Sequence, residues 1–491
     1  MSAQSVADVP LRARVAQGLA WKMLTQVVGQ GSRTIIAILL AHLLSPHDFG
    51  LASMALAFGG FVAIFLDLSL STPLIQRTTI TEQDRSTAFW TQLGAGVACM
   101  VIGLAVAPLV GDFFSNSAVV PLFAVSCIGF VLSALSVTQT ALLTREMNFR
   151  SLEIREIIAT VIAALVAVAL AIAGFGAWAI VAQSLAFLAV SGVLLWRFSS
   201  WRPTRTYSKE SLRILGSVGG KTMIARIFSY LNLNADNLLI GRYKGSAALG
   251  IYAIAYNAMY LPASRITAPI QQVLFAAFVR LQNDPPRLGQ AWLRGNRLVS
   301  AIAVPAFVGM AVVAPDFVPV VLGSRWHKAI PVLQLLSLAG VAQSYQSLNW
   351  SVLQARGKPG TLLSFMFFST VVTVGGFAIG LRWGVVGVAA SYAVARTIVL
   401  VGYTWLACRV TTLSPLEFVR THVDVAALAL LMGIAVYGAR IGLVHESVPQ
   451  ALRLVFLTLL GAVVYLALVA RFARDVVAEI RDMWRRRVQP A

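Results

Sequence analysis

Apolar runs of eighteen or more residues recur from residue 24 to residue 470, with few charges inside them. Each is long enough to cross a hydrocarbon layer of about 30 Å as a helix. Lipid offers the backbone no hydrogen-bond partners, so only helices and closed barrels can span it. The runs are about twice as long as a barrel strand and do not alternate apolar with polar residues, which leaves helices. The expected fold is therefore an all-α integral membrane protein of about fourteen transmembrane helices. They are expected at 24–44, 49–72, 88–111, 117–143, 157–175, 177–196, 214–235, 249–276, 297–322, 330–354, 361–380, 384–408, 423–441 and 452–470. Composition agrees: 58% of residues are hydrophobic and 12% charged, against about half and a quarter in soluble domains, which excludes a water-soluble enzyme.

The formal charge of +20 is scattered between the runs, not gathered in a basic domain, so it points to membrane topology and not to nucleic acid. With the N-terminus cytoplasmic, the inner segments hold 27 Lys and Arg residues and the outer ones 7: Arg242, Lys244, Arg325, Lys328, Arg382, Arg440 and Arg453. This bias predicts both termini inside, hence an even number of spans. The N-terminal segment carries Arg12, Arg14 and Lys22 and no separate apolar stretch before Trp21, so the first span is expected to be a retained anchor.

Cys99, Cys127 and Cys408 all fall inside apolar runs without metal-ligand spacing, and the five histidines form no paired motif. No metal, cofactor or disulfide is expected. Loops stay within about twenty residues, leaving no room for a catalytic or acceptor-binding domain, which disfavours a membrane glycosyltransferase.

The chain echoes itself. Leu43–Phe58 resembles Lys244–Met259, with Gly50 on Gly250. Thr140–Phe149 pairs with Ser351–Gly360, so that Arg145 meets Arg356, and Gly176–Ala182 pairs with Gly384–Ala390. Offsets of 200, 211 and 208 fit one duplication of six helices, and an even unit keeps both copies in the same orientation. The expected organisation is a cytoplasmic segment 1–23, a six-helix lobe 24–205, a second lobe 206–410, and a helix pair with a basic tail over 411–491.

Seven charges fit no loop: Arg33, Asp67, Lys221, Arg226, Asp236, Arg265 and Arg396. A cation near mid-bilayer costs roughly 2.5–3.5 kcal/mol even on lenient scales, so it normally faces a bundle interior or wet cavity. Arg33, Arg226 and Arg396 lie nearest the midplane. Lys221 and Arg265 are equally compatible with snorkelling. Asp67 is expected to reach the headgroups and Asp236 to sit at the outer end of span seven, where either is a candidate coupling or pairing acid. Polar stripes in span eight (Asn257, Tyr260, Ser264, Gln271) and span ten (Ser337, Ser344, Ser347, Ser351) fit packing and cavity lining alike. A surplus of cations attracts an anion, because guanidinium forks match phosphate oxygens. The expected substrate-binding group is Arg33, Lys221, Arg226, Arg265 and Arg396.

The motifs WKMLTQ from Trp21, LLSPHDFG from Leu43, TREMNFRSL from Thr144, GFGAWAIVAQ from Gly174, NADNLLIGR from Asn234, LGIYAIAY from Leu249 and VLFAAFVRLQ from Val273 resemble the Wzx-type polysaccharide flippases of the colanic acid exporter group. That group belongs to the multidrug, oligosaccharidyl-lipid and polysaccharide exporter superfamily. His42 stands where the family often has arginine and Ala276 where it often has proline. The resemblance implies a bacterial inner-membrane flippase for undecaprenyl-pyrophosphate-linked oligosaccharide, working by alternating access, with a polysaccharide polymerase and export machinery as candidate partners. A drug/cation antiporter of the same superfamily is the alternative, and the cationic interior argues against it.

Overall fold

A computed structural model describes residues 31–32, 34–66, 70–216, 219–262, 268–357 and 359–473. Regular structure among them is helical. The helices are α1 (Thr34–Leu43), α2 (Pro46–Leu66), α3 (Ser71–Gln76), α4 (Glu82–Phe114), α5 (Val119–Ser126), α6 (Ile128–Arg145), α7 (Phe149–Ile172), α8 (Trp178–Phe198) and α9 (Lys209–Gly216). They continue as α10 (Gly219–Pro262), α11 (Ala268–Arg280), α12 (Pro285–Phe317), α13 (Ala329–Gln346), α14 (Asn349–Ala355), α15 (Pro359–Gly380), α16 (Gly384–Thr411), α17 (Pro415–His445) and α18 (Gln450–Phe472). Nine stretches of the described residues are long and apolar enough to cross a membrane, and the one at Gly360–Thr411 contains both α15 and α16. This is a multi-pass helical membrane protein. Large apolar side chains stand exposed along its helices, Leu165, Val193 and Leu466 among them at 66%, 70% and 67%, as suits a protein whose solvent is lipid.

Helix starts follow local chemistry. Ser45 and Asp48 exchange hydrogen bonds across the first turn of α2, Thr81 and Asp84 form a capping box on α4, and Ser414 and Glu417 form one on α17 with Pro415 in the first turn. Each box satisfies amide groups that would otherwise enter the membrane boundary unpaired.

The chain forms two compact units, Met1–Tyr230 with Gly241–Gly250, and Leu231–Ile240 with Ile251–Ala491. In the first, α7 packs along α8, and α4 along α6. In the second, α13 lies against α12 and α16, while α17 and α18 close a core over α12 around Ala429, Met432 and Leu457.

All three sequence echoes return as matching local geometry. Arg145, at the end of α6, donates to the carbonyls of Leu74, Arg77 and Thr78 behind α3; Arg356, just after α14, donates to the carbonyl of Gln282 behind α11. Each arginine meets the carbonyl-rich, negative end of a helix, where a cation is favoured. Gly176 and Gly384, at the entries to α8 and α16, both have positive φ, +54° and +73°. A side chain there would be strained, so the glycine is required twice.

The first echo gives a reciprocal contact within the first unit. A methyl group on Gly50 would stand 1.7 Å from the Ser246 carbonyl oxygen, and one on Gly250 would stand 1.8 Å from the Pro46 carbonyl oxygen. Ser246 opens the second segment of α10, after a break at Gly245 (φ 80°, ψ 179°). Residues 46 and 50 therefore meet residues 246 and 250 reciprocally, as two copies of one motif.

Candidate functional site

In the second unit, phenolic and ionisable groups of α10 and α16 converge at one place. Tyr392 and Arg396 stand one turn apart on α16, and Arg396 lies twelve residues, about 18 Å, beyond its start at Gly384. The guanidinium carbon sits 4.8 Å from the centroid of the Tyr392 ring, a cation–π contact within the apolar stretch Gly360–Thr411. Tyr252, Tyr256 and Tyr260 follow at successive turns of α10, with ring centroids 6.1 and 6.4 Å apart. Tyr256 lies 6.2 Å from Tyr392, which stacks at 5.6 Å on Phe377 of α15.

Asp236 joins this group. It is 3% exposed and within electrostatic range of Arg396, beside the Tyr252 hydroxyl. Its expected place at the outer end of span seven is corrected: helix continues past it, and it lies nine residues, about 14 Å, before the break at Gly245. One carboxylate oxygen accepts from the Asn237 amide at 2.8 Å.

Arg396 Nε, Tyr252 Oη and Tyr392 Oη are buried and make no hydrogen bond of ordinary geometry among the described residues, while Tyr252 Oη faces the Asp236 carboxylate and Tyr392 Oη the Arg396 guanidinium. Buried polar groups are almost always satisfied, by protein, water or ligand. Their donors, with the carboxylate as acceptor, suit a ligand bearing anionic oxygens and hydroxyls. Nearby, Asn232 of α10 donates to Thr370 of α15, and Thr373 Oγ1 is buried and unpartnered among the described residues.

Of the seven charges singled out in the sequence, the described residues bring together Asp236 and Arg396. Arg226 is exposed on α10, and Lys221 stands in the helical backbone of the same element. Arg33, Asp67 and Arg265 lie outside the described residues. Sequence reasoning missed Tyr252, Tyr256 and Tyr392; the spacing of 252, 256 and 260, and of 392 and 396, was the available signal. The serine stripe of α13 proves to be packing at two positions: Ser337 and Ser344 are buried and donate back to the carbonyls of Leu333 and Gly340. Gln271 and Ser351, from the two stripes, bond to each other at 3.2 Å.

Other charges of the second unit are tied to partners. Arg297 bonds Asp424. Asp316, fully buried at the end of α12, accepts from Arg440 of α17 at 2.6 Å and from Arg453 of α18. Arg440 and Arg453, expected in outer segments, thus anchor the last two helices to α12.

The profile of the family described as "Polysaccharide biosynthesis protein" matches residues 39–331. The chain belongs to that family. Among curated proteins, it is 26% identical over 419 residues to the teichuronic acid biosynthesis protein TuaB of Bacillus subtilis, covering 84% of this chain and 86% of TuaB. It is 27% identical over 402 residues to the lipopolysaccharide biosynthesis protein WzxC of Escherichia coli, with 79% and 80% covered. To the succinoglycan biosynthesis transport protein ExoT of Rhizobium meliloti it is 26% identical over 480 residues, with 96% of each chain covered. Among solved structures it is similar to the lipid II flippase MurJ, with a TM-score of 0.76 at 14% identity over 94% of this chain and all of that one. An inward-facing multidrug MATE transporter gives a TM-score of 0.63 at 16% identity, over 80% and 98%. These two likenesses establish a shared fold. The expected resemblance to Wzx-type proteins is borne out.

Proposed function

We propose that this protein is a flippase for lipid-linked oligosaccharide, of the undecaprenyl-pyrophosphate type, acting from the cytoplasmic to the periplasmic leaflet of a bacterial inner membrane. The observation that carries the reading is the cluster around half-buried Arg396, where Asp236, Tyr252 and Tyr392 gather from α10 and α16 in a member of the polysaccharide-biosynthesis family. Relatives named for lipopolysaccharide biosynthesis and succinoglycan transport, and a fold shared with a lipid II flippase, support it. Arg396 contacts the pyrophosphate, and Arg33, Lys221, Arg226 and Arg265 add positive potential along its path. Asp236 balances the guanidinium when no cargo is bound; Asp67 is a second candidate acid. No covalent chemistry is involved: cargo is bound by charge and released by a change of access.

The reading includes fourteen spans with both termini cytoplasmic, and rocking of a lobe 24–205 against a lobe 206–410, with 411–491 as an added helix pair. A polymerase and export machinery accept the product. Reporter fusions after residues 45 and 245 should read periplasmic, and those after 80 and 205 cytoplasmic. The deciding experiment is leaflet transfer of a fluorescent undecaprenyl-pyrophosphate oligosaccharide in proteoliposomes. Transfer above protein-free vesicles supports the reading. Transfer of an apolar cation such as ethidium, with none of the lipid-linked sugar, assigns the protein to the drug/cation antiporters instead.

A further inference from the structure

The reciprocal contact of Gly50 and Gly250 asks for a purpose beyond packing. Both glycines are buried, and each presents its bare Cα to a carbonyl of the other copy of the motif. Small residues let helix backbones approach closely in membranes, where Cα–H groups then meet carbonyl oxygens. Here the approach is so close that a single methyl group on either side would overlap the opposing oxygen. One side-chain bond crosses the same contact, Ser246 Oγ to His47 Nδ1 at 2.7 Å. The contact joins the first turn of α2 to the start of the second segment of α10, so two helix N-termini with like partial charges face each other. Asp48 is held by Ser45 on one side, whereas the matching position on the other side is Ala248. The joint is thus made by short-range fit and opposed by longer-range repulsion, and it loses its contacts outright once the backbones part.

We infer that the Gly50–Gly250 joint, with His47 and Ser246, is the closing latch at one membrane face, formed in one access state and parted in the other. The inference rests on the alternating-access reading above. It assigns the latch to the ends away from the arginine-rich loops. Because the motif is self-complementary, the two glycines are equivalent, and either one alone suffices to block closure.

The test uses full-length protein with Cys99, Cys127 and Cys408 replaced by alanine and the pair His47→Cys and Ser246→Cys added. Copper-phenanthroline oxidation should crosslink more than half of the molecules. Crosslinking should lower transfer of the lipid-linked oligosaccharide at least tenfold, and reduction should restore it. Adding Gly50→Val or Gly250→Val should cut crosslink yield at least fivefold, alike for the two sites. Gly59→Ala, whose added methyl meets only Ser126 Oγ at 3.8 Å, should crosslink as the parent does. The inference is overturned if either valine variant crosslinks like the parent, or if the reduced protein transports and the crosslinked protein transports equally well. Should the valine variants fail to accumulate, the crosslinking arm decides alone. The crosslink yields need no cargo: if they follow the forecast while no lipid-linked sugar moves, the latch stands and the proposed substrate falls.

Discussion

The two halves of the duplication share their backbone devices and differ in their chemistry. Gly50 and Gly250, Arg145 and Arg356, and Gly176 and Gly384 do the same work twice. Among the described residues the polar cluster occurs once. At the first offset, Tyr252, Tyr256 and Tyr260 fall on Ala52, Leu56 and Gly60, and Asp236 falls on Ile36; at the third, Tyr392 and Arg396 fall on Ser184 and Leu188. Positions that only need to pack have been filled with small or aliphatic residues in one copy and with ionisable or phenolic ones in the other. A duplicated scaffold thus constrains geometry at glycines and helix ends, while mid-span side chains are free to diverge, and a cation kept there against its desolvation cost marks function.

The comparison can be broken first at the element with no counterpart. Asp316→Ala leaves the guanidinium groups of Arg440 and Arg453 without their shared carboxylate, a loss of about 3–5 kcal/mol. The variant should lose most of its folded population in thermal unfolding in detergent. Wild-type stability would mean that the last two helices are held by their apolar core alone.

A smaller difference is expected between the paired arginines. Arg145 reaches several carbonyls and Arg356 one, so Arg145→Gln should cost about 1.5–3 kcal/mol and Arg356→Gln less than half of that. Equal or reversed melting shifts would show that the two caps are not the same device. Smallest is Tyr252→Phe, which removes a hydroxyl that faces Asp236 without a hydrogen bond of ordinary geometry. Stability should stay within about 1 kcal/mol of the parent. A larger loss would reveal a structural hydrogen bond and remove that hydroxyl from the ligand's reach.

Much of this was legible in the sequence because membrane folding is so constrained. Helical membrane structure and the three echoes follow from apolar runs and from glycines and arginines at matching offsets. Arg396 was legible as well, since one charge in a long apolar run stands out. Its surroundings were not. Tyrosine counts as apolar in any hydropathy reading, so Tyr252 and Tyr392 gave no contrast with their neighbours. Asp236 was misplaced because a polar stretch, Asn232 to Asn237, looked like a helix end, whereas the chain breaks only at Gly245. Asp316 and Arg453 lie too far apart in sequence for spacing to pair them; tertiary packing of α12 with α17 and α18 does so.

The most direct test of the account is the charge dependence of Arg396 in proteoliposomes, measured as transfer per folded molecule at subsaturating cargo. A charge-assisted contact is worth about 1.5–3 kcal/mol, so Arg396→Gln should slow transfer of the pyrophosphate-linked sugar roughly ten- to hundredfold. Arg396→Lys should recover only part, since the ammonium keeps the charge and loses the fork. Leu188→Gln, at the matching place in the first half, should transfer within about twofold of the parent, too small a change to carry a charge-assisted contact. Full activity of Arg396→Gln, or equal losses at 188 and 396, would contradict the claim that the second half alone carries this anion contact.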